Sequence, residues 1–192
     1  MSAIVILACS PRKKGNSDLM AEAAYDALEK NGQSAELIYL RDFTFSPCIG
    51  CNSCYIKGEC VFRSDDAEKV FTKLLSSEKI IISAPIFFQS LGALPKGLID
   101  RAQRFWSIKN VLKKHVIEDE ELRKKRKVYA LLCGGTNFPD TFICAEKIIR
   151  LFCMMLESKY AGGSFFPTID VKGDILKDKD NLRHIKEAIL TL

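Results

Sequence analysis

Apolar positions along this chain fall into short runs separated by polar stretches with helical periodicity. Residues 3–8 (Ala-Ile-Val-Ile-Leu-Ala) form a compact β-branched run closed by Ser10-Pro11, which predicts a strand buried on both faces. Residues 35–40, 79–84, 128–133 and 159–163 predict four further strands, and Lys-Ile-Ile-Ile-Ser-Ala at 79–84 carries the strongest signal. Between them, Leu19, Ala23, Ala27 and Leu28 line one stripe of a helix that opens at Ser17-Asp18 and stops at Asn31-Gly32. Val70, Phe71, Leu74 and Leu75 give a helix over about 65–77 its buried face, with Ser64 and Asp65 as capping candidates. Further helices are expected over about 95–108, with Pro95 in the first turn, over 141–156 and over 180–192.

Five strands, each followed by a helix, demand an α/β fold with a parallel sheet, helices on both faces and right-handed crossovers. No internal repeat interrupts the rhythm, so the chain reads as one domain over 1–192, with a cysteine-rich loop at 45–64 inserted after the second strand. Ligands of such sheets lie beyond the carboxyl ends of the strands. Three informative loops, 9–17, 85–92 and 133–138, fall at those ends, which points to a single binding crevice.

Composition narrows the class. The apolar fraction is 47%, and no apolar run approaches the roughly 18 residues of a membrane span. The start lacks a basic region ahead of its apolar run, so it reads as a strand and not a signal peptide. A cytoplasmic, reducing setting is therefore expected, which favours metal or redox work for the eight cysteines over a disulfide framework. The net charge of +5 is concentrated at 113–127, where Asp119/Arg123, Glu120/Lys124 and Glu121/Lys125 have i,i+4 spacing. No aromatics interleave with these cations, so the segment reads as a self-paired surface and not a nucleic-acid site.

The first loop, Cys9-Ser10-Pro11-Arg12-Lys13-Lys14-Gly15-Asn16-Ser17, joins a buried strand to a helix N-terminus. Free N–H groups and the helix dipole favour an anion there, Ser10, Asn16 and Ser17 add neutral donors, and Arg12 can fork onto phosphate oxygens. The competing reading is a polar turn with Ser17 as an ordinary cap. Neither G-x-x-x-x-G-K-[ST] nor G-x-G-x-x-G is present, which favours a terminal monophosphate over a dinucleotide pyrophosphate. The second loop, Pro85 through Gly92, sets Phe87 and Phe88 outside the sheet, either as a wall for a planar ring or as a cover for the core. The third, beginning Gly134-Gly135, permits close backbone approach.

Cys48, Cys51, Cys54 and Cys60 follow the pattern C-x2-C-x2-C-x5-C. Four thiolates so spaced suit a 4Fe–4S cluster, suit structural zinc by ligand type, or remain reduced thiols. Cys9, Cys133, Cys144 and Cys153 are scattered and read as core, as do Met154 and Met155. His115 and His184 have no partnering Asp or Cys at useful spacing, so no catalytic role is assigned to them, and Trp106 reads as packing.

Ser-Pro-Arg-Lys-Lys-Gly-Asn-Ser after the first strand resembles the FMN-phosphate loop of the flavodoxin-like NAD(P)H-dependent FMN reductases. Pro-Ile-Phe-Phe-Gln-Ser, followed by Pro-Lys-Gly-Leu-Ile-Asp-Arg, resembles that family's isoalloxazine loop and succeeding helix. With the cysteine motif added, the resemblance is to the iron–sulfur flavoproteins, and it covers about residues 3–105. It implies a flavodoxin-like three-layer sandwich with a five-stranded sheet in the order 2-1-3-4-5. It implies Ser10, Arg12, Asn16 and Ser17 on the FMN phosphate and Pro85, Ile86, Phe87, Phe88, Gln89 and Ser90 on the ring and ribityl chain. Gly134 and Gly135 join this set, and Cys48, Cys51, Cys54 and Cys60 would ligate the 4Fe–4S cluster. The implied activity passes electrons between a reduced nicotinamide (NADH or NADPH) or ferredoxin and a small-molecule or protein acceptor, in a homodimer or homotetramer. The alternatives are a cluster-free NAD(P)H:FMN or quinone reductase, and a non-enzymatic redox carrier or sensor.

Overall fold

The computed structural model describes residues 3–192. Strand β1 (Ile4–Ala8) is buried at every position and takes the centre of the sheet, between β2 (Ala35–Tyr39) and β3 (Lys79–Phe87). β5 (Lys127–Cys133) and β6 (Lys159–Phe166) continue beyond β3, all parallel, giving the path β2-β1-β3-β5-β6. This is the flavodoxin-like α/β arrangement expected.

The strand count is larger by one. β3 continues past Pro85 to Phe87 and turns back through Phe88-Gln89 into the two-residue β4 (Ser90–Leu91), which pairs with it antiparallel. Phe88 and Gln89 both adopt positive φ, 49° and 59°. A two-residue hairpin of this hand needs that conformation at both central positions, and the sequence carries no Asn-Gly or Asp-Gly to announce it. The sheet is therefore six-stranded, and the expected fourth and fifth strands are β5 and β6.

Alternation along the strands splits the core into two layers. Val5, Leu7, Ile80, Ile82 and Val128 face α3 (Ala67–Leu75), α5 (Gln103–Asn110) and α7 (Ile143–Met155), meeting Phe71, Phe105 and Phe152. Ile4, Ile6, Ile81 and Leu131 face α1 (Asn16–Lys30) and α8 (Lys179–Leu190), meeting Met20, Leu28, Ile185 and Ile189. Among the described residues, no helix is long and apolar enough to cross a membrane.

Several local expectations change. The helix expected over 95–108 breaks at Ala102 into α4 (Ala93–Arg101) and α5. In α6 (Glu120–Lys125), Lys124 pairs with both Glu120 at 2.8 Å and Glu121 at 3.0 Å. Asp119 instead caps the helix by accepting from the Leu122 N–H, Arg123 turns back to the Ile117 and Glu118 carbonyls, and Lys125 approaches Glu78. Met154 is 57% exposed and Cys144 is also exposed, because both lie on the outer side of α7; Cys9, Cys133 and Cys153 are core residues.

Candidate cofactor site

The loop after β1 is shaped from within. The Ser10 hydroxyl donates to the Arg12 carbonyl at 2.8 Å, the Gly15 N–H returns to the same carbonyl at 3.2 Å, and Lys14 sits at φ 58°. A Cβ on Gly15 would stand 2.5 Å from the Ser10 Oγ, so only glycine lets this turn close. Below the loop, the fully buried Asp18 accepts the Lys14 N–H at 2.8 Å and pairs with Arg41 at 2.8 Å. Burial pushes the Asp18 carboxyl above its ordinary range against the opposing pull of Arg41. Arg41 also donates to the Ser10 carbonyl at 3.4 Å, so one ion pair braces both ends of the loop.

The loop opens onto a cavity of about 230 Å³ at the carboxyl ends of β1, β3 and β5. Ser10, Arg12, Asn16, Ser17, Pro85, Ile86, Phe87, Gly134 and Gly135 all line it. Phe88, Gln89 and Ser90 stand outside it, with Phe88 fully exposed at the hairpin tip and Gln89 donating to Asp140 at 3.4 Å. Ser17 does not cap α1, since Gly15 takes the cap position. Ser17 is among the residues lining the cavity, and its buried hydroxyl has no hydrogen-bond partner among the described residues. A buried hydroxyl at a helix N-terminus without a partner is an unmet demand for a polar ligand.

Sequence reasoning missed one wall. The segment after β6 closes the cavity with Ile169 and Asp170. The Ile169 N–H donates to the Gly134 carbonyl at 2.9 Å, and Arg12 Nη2 donates to the Asp170 carbonyl at 3.3 Å. The Asn16 side chain is engaged with this segment: Nδ2 donates to the Val171 carbonyl, and Oδ1 accepts from the Gly173 N–H, both at 2.9 Å. Cys133 also lines the cavity, and its burial pushes the thiol up to about 12, against the lowering effect of Arg12. No spacing signal links 169–175 to the first loop. A wider cleft of about 710 Å³ lies on the other side of this segment against α8, and several of its polar side chains are engaged with one another. Asp174 accepts the Asp170 and Val171 N–H groups and meets Lys177 at 2.7 Å, and His184 meets Ser164 at 3.0 Å.

The cysteine loop forms a second site. Cys48, Cys51, Cys54 and Cys60 line one narrow pocket of about 20 Å³ with Arg101, Gln103 and Arg104, and all four thiols are free. The short helix α2 (Cys54–Lys57) docks on α5, where the Ser107 hydroxyl donates to the Cys54 carbonyl at 2.8 Å. Gly58 ends α2 at φ 73°, and a Cβ there would stand 2.7 Å from Ile108. Arg101 pins both flanks of the loop, donating to the Ser46 carbonyl at 2.8 Å, the Phe62 carbonyl at 2.7 Å and the Asp65 carboxylate at 2.6 Å. The Ser53 side chain and N–H hold the Cys51 thiol below its ordinary pKa. Burial and the neighbouring Cys48, Cys60 and Cys51 raise that of Cys54. Among the described residues, no three His, Cys, Asp or Glu side chains stand close enough to hold a single metal ion. For a multi-atom cluster, the donor set fits in number and chemistry. Of the four, only Cys54 is buried, and the loop bends at Gly50 and Asn52, at φ 68° and 59°.

Residues 2–139 match the family model described as NADPH-dependent FMN reductase. The chain is 34% identical over 100 residues to an iron–sulfur flavoprotein of Methanocaldococcus jannaschii, a match covering 52% of this chain and 51% of that protein. It is 37% identical over 101 residues to an iron–sulfur flavoprotein of Archaeoglobus fulgidus, covering 53% and 45% respectively. The matched stretch thus spans about half the length of these relatives. Among solved structures, an azoreductase from Bacillus anthracis superposes over 100% of both chains with a TM-score of 0.70 at 14% identity, a likeness of fold.

Proposed function

Because the chain belongs to the NADPH-dependent FMN reductase family, we propose that it is an FMN-dependent oxidoreductase passing electrons between a reduced nicotinamide or ferredoxin and an acceptor, with a 4Fe–4S cluster on Cys48, Cys51, Cys54 and Cys60. The observation that carries the flavin reading is the unpartnered, buried Ser17 hydroxyl in the cavity at the start of α1. FMN, when bound, supplies two-electron acceptance from a nicotinamide and one-electron release, so the chain needs no acid or base of its own.

The residues divide the work of binding. Ser10, Ser17, the Asn16 N–H and Arg12 would take the phosphate, adding donors and charge to the positive end of the α1 dipole. Ile86 and Phe87 offer an apolar wall for the ring, and Gly134-Gly135 lets backbone approach from the facing side. Phe88, Gln89 and Ser90 lie on a hairpin that would meet the ring's edge or a neighbouring subunit. The exposed Phe88, Phe138 and Ile143 support a homodimer or homotetramer. The four free thiols sharing one pocket, together with relatives named iron–sulfur flavoproteins, support the cluster.

Anaerobic purification followed by flavin, iron and sulfide analysis on one sample tests the reading. The expected result is one FMN with about four iron and four sulfide per chain, and turnover with NADH or NADPH. Full flavin without iron would leave a cluster-free FMN or quinone reductase. Negligible turnover with every acceptor would leave a carrier or sensor.

A further inference from the structure

Two guanidinium groups share the cysteine pocket, and the family motif assigns neither a role there. Arg101, at the end of α4, is only 2% exposed. Its two terminal nitrogens are engaged by Ser46, Phe62 and Asp65, yet its Nε–H has no hydrogen-bond partner among the described residues. Arg104, one turn on in α5, packs over the Phe71 and Phe105 rings at 5.3 and 4.5 Å and pairs with Glu68 at 2.8 Å. Its Nε–H is also buried and unpartnered. Both side chains line the pocket with the four sulfurs, whereas Asp65 and Glu68 do not. Each ion pair therefore turns its positive end toward the thiols.

A buried N–H without an acceptor costs roughly 1–3 kcal/mol, and two of them in side chains that line one pocket mark a place where an acceptor is due. Neutral thiols accept poorly, whereas thiolates and cluster sulfurs carry negative charge and accept well. Resting on the cluster reading above, we infer that Arg101 and Arg104 hold and tune the anionic cluster, donating through Nε–H and favouring its more negative, reduced form. Hydrogen bonds and local charge are the levers by which a protein sets such a potential. Arg101 adds a mechanical link, because the helix it ends begins at the hairpin beside the flavin cavity.

The test compares wild type with Arg104→Met, Arg104→Lys and Arg101→Lys, purified anaerobically as the full chain. The readouts are iron per chain, bound flavin, circular dichroism and the cluster's midpoint potential from a titration followed by electron paramagnetic resonance. Arg104→Met keeps the apolar stem over the two rings and removes the N–H groups and charge. It is expected to disfavour the reduced cluster at least tenfold, a downward shift of about 59 mV, with flavin content unchanged. Arg104→Lys should recover part of the shift through charge alone. Arg101→Lys should lose more than half its iron; where it fails to fold, the Arg104 pair decides. A loaded wild type whose iron content and potential are unmoved in the Arg104 variants overturns this inference while leaving the cluster reading intact. A wild type without iron overturns both.

Discussion

Asn16 and Gly173, 157 positions apart, are joined by a 2.9 Å hydrogen bond from the Gly173 N–H to Asn16 Oδ1, while Asn16 Nδ2 donates to the Val171 carbonyl. The first residue of α1 thereby fixes the segment that closes the cavity behind Asp170. Asn16→Ala would leave a part-buried N–H and carbonyl without these partners, at about 1–3 kcal/mol each. FMN affinity, read by quenching of flavin fluorescence, should fall by roughly tenfold or more, since 1.4 kcal/mol is a factor of ten. An unchanged affinity would show that the wall at 169–175 does not serve the flavin.

Arg12 is exposed at the cavity mouth, where its guanidinium donates to the Asp170 carbonyl at 3.3 Å. A phosphate is the better acceptor, because a hydrogen bond to a charged group contributes about 1.5–3 kcal/mol. Arg12→Ala should therefore weaken FMN by roughly 10- to 100-fold and leave riboflavin, which has no phosphate, nearly unaffected. Equal losses for both flavins would place Arg12 away from the phosphate.

The parallel sheet was legible because its strands are continuous β-branched runs, and the three loops at their ends were legible because Ser, Gly and Pro punctuate them. What escaped has no local signature. Asp170 reaches the cavity only because β6 runs through to Phe166, three residues past the expected end. Arg101 lay inside the helix expected over 95–108 with nothing to mark it, yet it is among the largest fully buried side chains. The β4 hairpin escaped because Phe88 and Gln89 adopt a conformation usually left to Asn and Gly. Met154 escaped for the opposite reason: an apolar side chain on an all-apolar stretch does not reveal which face of α7 is outward.

The buried Asp18 and its partner Arg41 make a pH-dependent prediction. The folded pKa of Asp18 is raised, chiefly by burial, so the charged carboxylate opposes folding at neutral pH, and that cost is relieved as pH falls through the raised value. Arg41→Met removes the charge that offsets it. The loss should be about 3–5 kcal/mol at pH 7, and smaller under acid conditions where Asp18 is protonated. Urea unfolding at pH 7 and at successively lower pH checks this, and a penalty independent of pH would contradict it.

Asp65 behaves with the opposite sign. Although burial alone would raise its pKa, donation from Arg101 and from the Ser46 N–H outweighs that and holds the carboxyl below its ordinary range. The stability this gives is fully present above the unfolded value of about 3.9 and is lost as pH falls through the lower folded value. Asp65→Asn leaves Arg101 buried without a counter-charge, at roughly 3–5 kcal/mol near neutral pH. Because protonated Asp65 and Asn are both neutral at that position, the two proteins should converge in stability as pH falls through the lowered folded value. Chemical unfolding of both from pH 7 down to the acid limit measures the gap. A gap of constant size across that range would mean that Asp65 acts through shape, and that the ion pair holding the cysteine loop contributes nothing through charge.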